Sequence, residues 1–230
     1  MFDFNVKKAV SFTMLLLLLS VPSFGREMTF LPVYDNLLYY ASADESTGDT
    51  VYPASYNGVG KSRDYSMNEF WVYESIFWFD LSSINGKKIK SARLILSPAV
   101  LAGDPEDAYN NTYYEIRVVA ELWDPRTVTI NNAPAYYTGY YVPFNVPTST
   151  VPVSLNVTDA VKYWADGTYP NYGFRLRDGG TYLPDRSFVW STMFGSQEKK
   201  GTVPPELVVT IEDGGGSVVS TVIVPLLLLQ

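Results

Sequence analysis

The chain has 230 residues, contains neither histidine nor cysteine, and carries a formal net charge of −7 at pH 7. The absence of those two residue types excludes Ser-His-Asp and Cys-His nucleophilic catalysis, zinc sites built on His or Cys, and disulfides as the source of stability. The acidic balance argues against a nucleic-acid partner, because phosphate binding needs a concentrated basic surface.

The chain opens with Lys7 and Lys8, an apolar run from Ala9 to Val21 and a small-residue exit at Ser23-Phe24-Gly25. That layout predicts a secretory signal peptide over residues 1–25, too short in its apolar part to span a membrane. Residues 26–213 then form the folded domain, long enough to bury one large core.

From Phe30 to Tyr73 the composition is Tyr-, Ser-, Asn- and Gly-rich, with apolar clusters at Leu37–Ala41 and Phe70–Tyr73. It predicts short strands separated by long loops. Between Phe77 and Leu96 an aromatic run ends at Asp80-Leu81-Ser82-Ser83, turns at Asn85-Gly86 and returns as alternating Ala92, Leu94 and Leu96, which predicts a hairpin. Strand-type composition covers Ser75–Leu81, Ser91–Ser97, Glu115–Leu122, Thr127–Ile130, Val151–Leu155, Phe174–Arg177, Phe188–Thr192 and Leu207–Ile211. Many short strands with Pro and Gly punctuation indicate an all-β fold, a jelly-roll β-sandwich. One short helix interrupts it: Thr158 caps, Asp159 suits the first turn, Val161, Trp164 and Ala165 share a face, and Gly167 ends it.

Alternation puts Phe77, Phe79 and Leu81 on one face of their strand and Ile76 and Trp78 on the other. If the first face is core, Trp78 lies on the outer face, either as a platform on which a sugar ring stacks or buried beneath a covering loop. Arg175 and Arg177 share one face, and Arg117 on another strand can join them. Such guanidinium groups suit the carboxylates of a uronic acid polymer; the alternative is cross-strand pairing with Glu115 or Asp178.

Tyr136, Tyr137, Tyr140 and Tyr141 read as a loop that either contacts sugar or a partner or plugs the sandwich. Asp104, Glu106 and Asp107 can offer oxygen ligands to calcium, although their spacing fits no EF-hand and Gly103 with Pro105 reads as a solvated turn. Asn110-Asn111-Thr112 and Asn156-Val157-Thr158 match the glycosylation pattern. After Asp213, residues 214–230 form a Gly-rich hinge and an apolar tail, which reads as a surface anchor or as the start of a longer multidomain chain.

The order of several fragments resembles the DNRLRE-domain family between Tyr34 and Ile211. They are Phe79-Asp80-Leu81-Ser82-Ser83 with Ser91-Ala92 and Leu94; Trp123, Thr127-Val128-Thr129, Asn131-Asn132 and Pro134; Val157-Thr158, Val161 and Trp164; Asn171-Tyr172-Gly173; and Ser196-Gln197-Glu198 before Pro204-Pro205 and Leu207. Ile130 and Trp78 depart from the pattern. The resemblance implies a jelly-roll sandwich of bacterial or archaeal secreted and surface proteins, with binding of polysaccharide, including acidic polysaccharides such as alginate, in some members. The expected function is a non-catalytic, secreted or cell-surface carbohydrate-binding module. The rivals are a structural adhesin or layer protein, and a lyase or hydrolase that works without histidine through Tyr, Arg or paired carboxylates.

Overall fold

The computed structural model describes residues 25–42, 50–53, 56–64, 69–103, 113–179, 188–197 and 199–212. The leader up to Phe24, the acidic residues Asp104, Glu106 and Asp107, the Asn110 sequon and the tail 214–230 lie outside them. Among the described residues the chain runs β1 (Arg26–Phe30), β2 (Tyr34–Ser42), β3 (Thr50–Pro53), β4 (Asn57–Asp64), β5 (Glu69–Trp78), β6 (Ile89–Leu96), β7 (Pro98–Gly103) and β8 (Tyr113–Val119). It continues through β9 (Tyr136–Asn145), β10 (Val153–Asn156), the helix α1 (Thr158–Ala165), β11 (Phe174–Asp178), β12 (Phe188–Phe194) and β13 (Glu206–Ile211).

The strands form two antiparallel sheets, as expected of a sandwich. The smaller has the order β1-β13-β6-β10; the larger runs β7-β12-β4-β5-β11-β8-β9, with β2 on β5 and β3 on β2. One edge of β5 pairs with β2 from Tyr34↔Trp78 to Ser42↔Phe70; the other pairs first with β4 and then with β11. Phe77, Ile116, Phe174 and Leu176 from the large sheet meet Leu94, Leu155, Leu207 and Val209 from the small one in a continuous buried core. Alternation along each strand is what supplies these inward sets.

Four local expectations are corrected. Phe77 to Leu96 is no hairpin: β5 belongs to the large sheet and β6 to the small one, and a single 3-10 turn at Ser82–Ile84 carries the chain between them. Phe79, Leu81 and Ile84 are all buried, so this connection packs into the core instead of returning beside β5. Thr127–Ile130 is a turn-rich segment whose backbone is tied by a side chain: the Asn132 amide donates to Thr127 O at 2.8 Å, and its oxygen accepts from Thr129 N at 2.6 Å. Residues 136–145, read as loop, form the edge strand β9, where Pro143 is tolerated because its outer side needs no ladder bond. The Leu37–Ala41 and Phe70–Tyr73 clusters sit in strands of nine and ten residues that pair with each other, not in short ones.

Helix α1 forms where expected, and Ala160, Val161, Trp164 and Ala165 join the core. Thr158 does not cap it. Its hydroxyl accepts from Ala92 N at 2.9 Å and so fastens the start of the helix to β6. The acceptor for a first-turn amide comes from β9: Ala160 N donates to the Tyr140 hydroxyl at 3.1 Å. Gly167 ends the helix with φ +78°, a conformation that glycine adopts without a Cβ penalty.

Candidate functional site

The outer face of the large sheet carries Trp78, as alternation predicts. Next to it on the same face Ile76 is fully buried with Leu38, Val119 and Val128, and Trp123, Ile130 and Ala133 pack on top. Thus the segment after β8 covers the middle of this face, held in part by Asn36 Nδ2 donating to Pro125 O at 2.8 Å. The cover stops short of Trp78, which is half-buried. The covering segment expected over this residue is thus present but incomplete.

Trp78 stacks on Tyr34, opposite it in the β2–β5 register, with centroids 5.9 Å apart and planes at 23°. Trp123 meets Tyr34 edge-on at 6.5 Å. Both indoles are fixed by their N–H groups: Trp78 Nε1 donates to Asn171 O at 3.0 Å and Trp123 Nε1 to Tyr172 O at 2.8 Å. Between these rings lies a cleft of about 150 Å³ that also touches Leu122, Pro125 and Tyr172. Tyr34 is 45% exposed and Leu122 81%, so the aromatic rim is open to solvent.

On its other side Trp78 borders a broader, open groove of about 620 Å³, with Asp80, Asn85, Asp166, Tyr169 and Asn171 along it. The chain around it is locked by side chains. Asn171 Nδ2 donates to Phe79 O at 2.7 Å, and its Oδ1 accepts from Gly173 N at 3.1 Å. Gly173 is required here: its φ is +90°, and a Cβ would come within 1.9 Å of Phe77 O. Asp80 Oδ1 accepts from Ser82 N and Asp166 Oδ1 from Thr168 N, each at 2.9 Å. For Asp80 the backbone bond from Ser82, then the side-chain one, holds the carboxyl below the usual range; for Asp166 the side-chain bond from Thr168 leads. The groove therefore has flat aromatic surface, amide groups and ionised carboxylates, but no guanidinium lining it.

The three arginines do share the outer face, one sheet region away. Arg117 forms a bidentate pair with Glu115, Nε to Oε1 and Nη2 to Oε2 both at 2.8 Å. Arg175 Nε donates to Glu74 Oε2 at 2.6 Å. Arg177 stands 3.7 Å from both carboxylates and donates from Nη1 to the Tyr136 hydroxyl. Tyr136 also lies beneath all three guanidinium groups, with its centroid 5.1, 6.0 and 5.3 Å from those of Arg117, Arg175 and Arg177. The expected pairing with Glu115 occurs, whereas Asp178 pairs with Lys61 at 3.0 Å.

Glu74 is the partner that sequence reasoning missed. The signal was present, since Glu74, Ile76 and Trp78 alternate onto one face.

Tyr137 belongs to a different place. With Tyr140, Tyr163 and Tyr169 it lines a pocket of about 340 Å³ between β9 and α1. Tyr137 and Tyr169 rings are 4.7 Å apart, Tyr163 and Tyr169 5.4 Å. Burial, offset in part by the bond from Ala160 N, raises the Tyr140 phenol above its ordinary range.

Two indoles held by their N–H groups around one cleft, with Trp78 also at the edge of an open groove, are a surface suited to the apolar faces of sugar rings. The model of carbohydrate-binding module family 96 matches residues 55–211, more than half of the chain. The chain belongs to this family. As a member of carbohydrate-binding module family 96, it carries Trp78, Trp123, Asp166 and Tyr169 within the matched span, while Tyr34 precedes it. The expected standing as a carbohydrate-binding module is thereby borne out, and family membership points to holding carbohydrate rather than changing it. No curated protein matches the chain.

Proposed function

We propose that this module is secreted or displayed at the cell surface, is non-catalytic, and holds a polysaccharide in the groove beside Trp78. The observation that carries the reading is the Tyr34–Trp78 stack, fixed from behind by Asn171 and exposed at the rim of a groove lined by Asp80, Asn85 and Asp166. The negative face of an aromatic ring attracts the C–H side of a pyranose, and carboxylate and amide oxygens accept its hydroxyls. The leader over residues 1–25 supports export.

A second reading, an acidic polysaccharide, follows from the DNRLRE resemblance and from one feature of the arginine face. Among the described residues three guanidinium groups meet two carboxylates there, and Arg177 Nε finds no hydrogen-bond acceptor. Uronate carboxylates would engage that surplus charge at Arg177, the most exposed of the three arginines.

Calorimetry with a neutral glucan and a polyuronate, each at low and high salt, tests both. Groove binding is weakened by Tyr34→Ala and Trp78→Ala at every salt concentration. Arginine-face binding is lost in high salt and in Arg177→Gln. Parent protein that binds neither polymer overturns the proposal and favours an adhesin; release of reducing or unsaturated ends favours an enzyme.

A further inference from the structure

We infer that the tyrosine pocket between β9 and α1 is a second sugar subsite, continuous with the groove, which takes a further residue of the same chain. The inference rests on the groove being the polysaccharide site. The pocket and the groove share two lining residues, Tyr169 and Trp164, so they lie side by side. Tyr169 is the ridge between them: 40% exposed, packed on Tyr137 and Tyr163, and fixed by Tyr169 N donating to Tyr163 O at 3.1 Å. A chain stacked near Trp78 and passing Asp166 meets the Tyr169 ring next and then the pocket.

The pocket's lining matches one sugar residue. Val118 and Ala160 give apolar surface, while Thr138 and the tyrosine hydroxyls offer hydrogen-bond partners at the sides. Trp164 contributes a buried indole whose Nε1 has no hydrogen-bond partner among the described residues. A buried donor left unmade is unfavourable, and Trp164 borders both the pocket and the groove, so a sugar oxygen brought against this indole would be favoured. The Tyr140 hydroxyl accepts from Ala160 N, and Tyr137 and Tyr163 line the same pocket.

Gly139 provides the probe. It lines the pocket, lies at no positive φ, and nothing stands within 4 Å of the position its Cβ would take. Gly139→Phe should therefore fill the pocket from a strand that accepts an aromatic residue without strain. The experiment measures affinity by calorimetry for oligosaccharides of increasing length from whichever polymer the parent binds. Parent affinity should rise with length and then level off. Gly139→Phe should level off at a shorter length, leaving the longest oligosaccharides about tenfold weaker while the shortest bind as to the parent. Tyr163→Ala, at a residue that lines the pocket but not the groove, should do the same without filling anything, and both variants should melt within a few degrees of the parent. If both variants reproduce the parent's whole length profile, the pocket is no subsite although the groove stands. If the parent binds no oligosaccharide at all, the groove reading falls and takes this inference with it.

Discussion

Arg175 and Glu74 are 101 positions apart in the chain and 2.6 Å apart in the fold, on β11 and β5. The side chains are 12% and 8% exposed, so this pair is largely withdrawn from water, unlike Arg93 and Glu27, 3.7 Å apart at 53% and 59%. Removing one member of a buried pair strands the other charge, at a cost of about 3–5 kcal/mol. Arg177 stays 3.7 Å from Glu74, so Arg175→Gln should cost less than that full amount but more than Arg93→Gln, which should cost less than about 1 kcal/mol. Urea unfolding of the two variants checks this. Equal midpoints would show that the Glu74 carboxylate is satisfied without Arg175.

Trp164→Ala should destabilise by about 3–5 kcal/mol, because the ring is buried and packs 4.7 Å from Phe174 at the junction of helix and large sheet. A thermal melt reads the loss directly. A melting temperature near the parent's would mean that α1 contributes little to the core.

Tyr140→Phe removes the acceptor for Ala160 N and should cost about 1 kcal/mol. The same change bears on alkaline stability. The folded phenol is raised above its ordinary value of 10.0, chiefly by burial, so the fold favours the neutral form. Its contribution is intact below the unfolded value and is lost as pH climbs through the higher folded one. Stability should thus fall with rising pH above about 10, and less steeply in Tyr140→Phe. Some slope should remain, since burial raises Tyr73 as well.

Asp80 and Asp166 run the other way. Their carboxyls are lowered from 3.8 by bonds from Ser82 and Thr168, so the stabilisation they bring is present above the unfolded value and lost as pH falls through the lower folded one. Both should stay ionised in the groove to below pH 3.8, and glycan affinity should be flat from neutral pH down to about 4. Carboxyl chemical shifts followed by NMR titration test the first statement. A binding curve that changes between pH 5 and 7 would contradict the second.

How much of this could be read from the chain itself differs by residue. Phe77, Phe79 and Leu81 were legible as core because alternate positions on a strand must face opposite sides, and Val161 and Trp164 were legible as one face of a helix ended at Gly167. Trp78 emerged by the same period-two argument. In contrast, the composition of Tyr136–Asn145 resembles a loop until β8 offers its ladder, and Thr127–Ile130 resembles a strand until Asn132 takes its backbone groups.

The chain alone therefore yields what is local and periodic: the all-β class, the helix and its stop, and which side chains oppose which along a strand. Each of these depends on the chain's own geometry over a few residues. It takes the closed sheets to part β5 from β6, to set Glu74 and Glu115 against the three arginines, and to bring Tyr169 between the Trp78 groove and a tyrosine pocket. Those relations pair residues far apart in the chain. Any exposed arginine or aromatic is compatible with many partners until the sheets close and leave it only one set within reach.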